Sequence, residues 1–139
     1  PFWYQGLLFN EFYRALDGKQ QEKILVGREP RGEKPSEVIA RRATDLPGLC
    51  GADLSKDQQA KLLDTMRRML ACFRADDVAA TMKTIEDKQL AGKLFISCYG
   101  GEHDIGHDKV WDTWQIEGPD MVWYFRGDPH IHAYFHLPT

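Results

Sequence analysis

Cysteine is scarce. Cys50, Cys72 and Cys98 are the only three in 139 residues, widely spaced and with no C-x-x-C pair. No paired framework can be read from them; three buried or semi-buried thiols, or one disulfide plus a free thiol, both remain open. Long apolar runs are absent too, and nothing approaches the ~20 residues that a membrane helix needs. No charged n-region with an apolar h-region opens the chain. Positive charge is not in excess: the net charge is −3 and the pI about 5.9, so non-specific binding to nucleic acid is not expected. G-x-S-x-G, P-loop and Rossmann glycine patterns are missing, which disfavours those hydrolase and nucleotide classes. There is no internal repeat and no low-complexity segment.

What remains is ordinary globular composition, 42% hydrophobic and 28% charged, at a length that suits one domain. The chain opens on Pro1 rather than Met. The expectation is a single domain spanning 1–139, or a processed product or fragment whose partner is the remainder of a longer chain or another subunit.

Residues 1–92 read as helical. Leu7, Leu8, Phe9, Phe12, Tyr13 and Leu16 fall near one helical face, and Asp17-Gly18 interrupts it. A short helix is expected over 18–26, ended by Gly27. Residues 28–47 hold Pro30, Pro35, Pro47 and mixed charges, so a long irregular connection is expected, with one helical turn over 36–42. Ser55 with Gln58 forms a capping-box pattern ahead of the stripe Leu62, Leu63, Met66, Met69, Leu70 and Phe73, which reads as core. Asp76 is the expected cap of a further helix carrying Val78, Ala79, Met82 and Ile85 inward.

Residues 93–139 differ in character: they hold all five His, three of the four Trp and nine of the sixteen aromatics. Strands are expected over 94–99, 110–117, 121–126 and 130–137, separated by loop 100–108 and turns at Gly118-Pro119-Asp120 and Gly127-Asp128-Pro129. Arg126-Gly127-Asp128 needs no explanation beyond that second turn. The fold expected is α+β, with N-terminal helices packed on a C-terminal antiparallel meander of three to four strands.

The last strand points to chemistry. Alternation puts Ile131, Ala133, Phe135 and Leu137 on one face and His130, His132, Tyr134 and His136 on the other. Same-face neighbours lie ~6.5–7 Å apart, so His130 and His132 can lean onto one metal ion, whereas His136 is ~13 Å from His132. Glu117, on the polar face of a neighbouring strand, and His103 or His107 from loop 100–108 would complete the site. Three protein ligands plus water is the open, catalytic pattern. Copper or iron redox chemistry is the first expectation and zinc hydrolysis the second, with Glu117, Asp120 or Tyr134 handling protons. The competing expectation is a non-enzymatic subunit whose aromatic sheet is an interface. A third is a carbohydrate-binding module stacking sugars on Trp111 and Trp123.

Gly48-Leu49, Ala52-Asp53-Leu54-Ser55, Gln58 or Gln59, Leu62-Leu63, Tyr99-Gly100 and Trp114-Gln115-Ile116-Glu117-Gly118 resemble the C-terminal part of a bacterial family known as domain of unknown function 3500. The resemblance covers roughly residues 40–120. In that family two His tend to follow the Glu-Gly pair, where this chain has Pro119 and Asp120. The resemblance implies prominence for Glu117, with no substrate or activity attached.

Overall fold

The computed structural model describes residues 3–26, 46–99, 113–118, 121–126 and 132–136. Helix α1 (Trp3–Arg14) comes first, then α2 (Gly18–Ile24). Asp17 acts as more than a break. Its side chain accepts from the Gln20 amide while the Gln20 side chain accepts from the Asp17 N–H. Ser55 and Gln58 repeat this box at the start of α3 (Lys56–Met69), as the sequence predicts. The two boxes then pair with each other: Gln20 Nε2 donates to Gln58 Oε1 at 2.9 Å, and Gln58 Nε2 donates to Gln20 Oε1 at 2.8 Å. Two helix N-termini are thus joined through one reciprocal amide pair.

Helix α4 (Ala75–Asp87) starts earlier than expected. Arg74 is its N-cap and makes no side-chain cap bond, and Asp76 lies inside the first turn, where its charge suits the helix dipole. A second departure follows α2. Leu25–Val26 leaves the helix and forms strand β1. β-branched Val26 suits an extended backbone, and a parallel partner is in place at Cys98–Tyr99.

The sheet contains β1, β2 (Leu49–Cys50), β3 (Phe95–Tyr99), β4 (Thr113–Gly118), β5 (Met121–Arg126) and β6 (His132–His136). Its order is β1-β3-β4-β5-β6, with β2 also paired to β3. The fold is α+β as expected, but the sheet is mixed rather than purely antiparallel, because β1 runs parallel to β3. The meander β3-β4-β5-β6 is antiparallel throughout.

Two glycines hold the junction before α3. Gly48 has φ +101°, and a Cβ there would meet the Ile96 carbonyl. Gly51 opens a 3-10 turn (Gly51–Asp53), and a Cβ there would run into the Ala91 carbonyl of the 3-10 turn Leu90–Lys93. Gly51 N–H donates to the Leu94 carbonyl at 2.7 Å, so the two turns are held by main chain.

The core lies between the helices and one sheet face. Phe9 and Phe12 of α1, Leu62, Met66 and Met69 of α3 and Ile85 of α4 meet Ile96, Cys98, Trp114, Ile116, Trp123 and Phe125. Trp114 is stacked between Phe9 and Phe125, with centroids 5.0 and 5.6 Å away. Ala133 and Phe135 pack against this cluster, so the phase expected for the last strand is the observed one there. Ile131 and Leu137 lie outside the described residues, as do the expected turn over 36–42 and Val110. One expected core residue is not core: Phe73 is 51% exposed, although its ring still meets Phe135 edge-on at 6.1 Å.

Candidate functional site

The polar sheet face carries the residues singled out in the sequence. β4 presents Thr113, Gln115 and Glu117 on the side opposite the core, all buried. Cross-strand register extends this into rows. Thr113 pairs with Arg126, which pairs with His132. Ser97 pairs with Gln115, Gln115 with Tyr124, and Tyr124 with Tyr134. Glu117 pairs with Val122, which pairs with His136.

These rows fix where Glu117 stands relative to the strand histidines. β4 and β6 are not neighbours; β5 stands between them. Glu117 shares its row with His136, the histidine set aside for distance, and not with His132. His132 stands two rows away, ~13 Å further along the strand direction, opposite the cation of Arg126. Among the described residues no group of three or more His, Cys, Asp or Glu could hold a metal ion. The metal-binding, copper, iron and zinc character expected from the histidines is therefore withdrawn, and with it the oxidoreductase label. His103, His107, Asp120 and His130 lie outside the described residues, and Tyr134 and His132 are described only in their backbone pairing.

The aromatic platform fails on burial. Trp114 and Trp123 are fully buried in the core and Tyr124 is nearly so, so none can stack a sugar or form an exposed interface. Trp111 lies outside the described residues.

Something else marks the polar face. Both amide atoms of Gln115, and the Thr113 hydroxyl, are buried with no hydrogen-bond partner among the described residues. Burying such groups unpaired costs about 2–7 kcal/mol on transfer scales, less by mutational measures. Trp114 Nε1 and Trp123 Nε1 on the other face share that condition.

An open groove lies on the helical side, where the sequence patterns point to packing alone. A groove of about 780 Å³ is lined by Tyr4, Leu7, Leu8, Glu11, Arg67, Arg68, Ala71, Phe73, Ala75, Val78, Ala79 and Met82. Helices α1, α3 and α4 form its walls. Leu7 and Phe73 remain 46% and 51% exposed, although both are large and apolar. A smaller hollow of about 290 Å³ adjoins it, sharing Arg67 and Met82 and adding Leu63.

The walls are held together near the C-terminal end of α3. The Met69 carbonyl accepts from Tyr4 Oη at 2.9 Å and from Gln5 Nε2 at 3.1 Å. This satisfies an acceptor that a helix end otherwise leaves open. Arg68 Nη1 bridges back to Glu11 Oε2 at 3.2 Å, and Arg67 Nη2 pairs with Asp64. Burial raises the Tyr4 phenol above its ordinary range.

The thiols divide by environment. Burial pushes the Cys98 thiol far up, which makes it inert. Cys72 is exposed. All three cysteines are free.

No family model, curated protein or solved structure matches the chain.

The likeness to the domain-of-unknown-function family accordingly rests on the quoted motifs alone. Structure explains several of them: Gly48 is a steric necessity, Ser55 and Gln58 are a cap, and Trp114 and Ile116 are core. Among the described residues no helix is long and apolar enough to cross a membrane. The signal for the groove was present in the sequence. Leu7 and Phe73 sit beyond what the core-facing stripes require, and Leu7 neighbours Leu8 where one helical face can bury only one of them well.

Proposed function

We propose that the chain is a non-enzymatic binding module whose ligand seats in the groove between α1, α3 and α4. The observation that carries this reading is the pair Leu7 and Phe73, half-exposed on the lining of an apolar groove of about 780 Å³. Ligand sites are typically ~300–1,000 Å³, mostly apolar, with a few polar groups to orient the guest, and this groove fits that description. It keeps the interaction-module expectation and moves the surface from the aromatic sheet to the helices.

Covering a half-exposed Phe and Leu contributes on the order of 1 kcal/mol each. The neutral fluorophore N-phenyl-1-naphthylamine tests this. Native protein is expected to give a saturable fluorescence gain at one site per chain. Leu7→Asp and Phe73→Asp should each weaken it about tenfold. Both positions are exposed, so melting temperature should barely move. Equal probe affinity in native protein and both variants would overturn the reading.

A further inference from the structure

We infer that the groove is built for an anionic amphiphile, an apolar chain ending in a carboxylate. This rests on the groove being a binding site and adds what kind of molecule it selects. The lining carries two guanidiniums, Arg67 and Arg68, against one carboxylate, Glu11. Each guanidinium offers five N–H donors in a planar fork that matches a carboxylate. Arg68 reaches Glu11 through Nη1, and Arg67 reaches Asp64 through Nη2, so neither fork is consumed by its ion pair.

Both arginines sit in the last turn of α3, where a helix ordinarily presents carbonyl oxygens and a negative dipole end. Here that repulsion is reduced. The Met69 carbonyl is taken by Tyr4 Oη and Gln5 Nε2, and the Leu70 N–H closes back on the Arg67 and Arg68 carbonyls. Beside Tyr4, whose hydroxyl is already given to Met69, the rest of the lining is apolar: Leu7, Leu8, Phe73, Val78 and Met82 offer no hydrogen-bonding group to a guest. A guest therefore gains from an apolar body and from a single negative head, whereas a cationic head meets only Glu11, which Arg68 already holds. Each methylene added to a chain that stays inside should tighten binding about fourfold.

Displacement of N-phenyl-1-naphthylamine by ten-carbon amphiphiles, below their micelle concentrations, tests the charge rule. Decanoate should bind at least about tenfold tighter than decanol and than decyltrimethylammonium. Its advantage should shrink with added salt. Arg67→Met with Arg68→Met should bring decanoate down to the affinity of decanol, and Arg→Lys at both positions should restore part of the preference. If decanol or the cation matches decanoate while the neutral probe binds in the groove, the charge inference is wrong and the groove stands. If the neutral probe does not bind, or binds insensitively to Leu7→Asp and Phe73→Asp, both fall together.

Discussion

The helices leave apolar side chains in water, whereas the sheet hides polar ones from it. On the helical side Leu7 and Phe73 are half-exposed around an open groove. On the far sheet face Gln115, Thr113 and Glu117 are buried. Each region departs from the oil-drop arrangement in the opposite sense. An exposed apolar patch costs little until something covers it, so it can wait for a ligand. A buried polar group bears its cost from the moment of folding and needs its partner permanently. That difference favours the groove, and not the polar face, as the place where a guest comes and goes.

The largest test of this contrast is truncation on each side. Trp114→Ala should cost about 3–5 kcal/mol in urea unfolding, because it empties the stack between Phe9 and Phe125. Phe73→Ala should cost under about 1 kcal/mol, since its ring is half in water. Similar losses for the two would abolish the distinction between core and rim. Next comes the backbone. Gly51→Ala should destabilise by about 1–3 kcal/mol, because its Cβ can be accommodated only by moving the Ala91 carbonyl. Gly18→Ala, where a Cβ meets nothing, should not destabilise and serves as the control.

Gln115→Leu sharpens the sheet half of the comparison. If the amide is as unpaired as its surroundings indicate, a leucine of similar size should leave stability unchanged or raise it by about 1 kcal/mol. A clear loss in the melting curve would mean that a water or ligand satisfies the amide. The smallest effect is chemical. Iodoacetamide should label Cys72 in the native state and Cys98 only after unfolding, read by mass spectrometry of peptides.

Much of the fold was legible from periodicity. The capping box at Ser55, the stripe Leu62-Met66-Met69 and the inward phase of Trp114, Ile116, Ala133 and Phe135 are local patterns, and local patterns survive folding. Strand register is not local. Nothing in β4 or β6 alone says that Glu117 shares a row with His136 while His132 falls opposite Arg126. Clustering five His in one third of the chain therefore gave a site that the register does not assemble from Glu117 and His132. β1 was missed for a related reason: two residues, Leu25 and Val26, are too few to show a period, and their partner lies beyond residue 95. Phe73 continues a helical stripe past Met69, where the helix has already ended, so periodicity alone counts it with the core.

The pairing of β3 bears on solubility. One edge of this strand is met by β4 along Phe95–Cys98, and the other by two fragments laid end to end, Leu25–Val26 at Cys98–Tyr99 and Leu49–Cys50 at Phe95–Ile96. They run in opposite directions, so no single longer strand could replace both. A strand edge with open N–H and C=O groups recruits other chains, and natural sheets take pains to blunt it. In this protein the blunting is done by two dipeptides drawn from distant parts of the chain, each too short to hold without the helix beside it. Docking of α2 and of the Gly48–Gly51 junction is then what keeps this edge of β3 covered. Any change that loosens either should show first as aggregation seeded at Phe95–Tyr99, before the rest of the molecule melts.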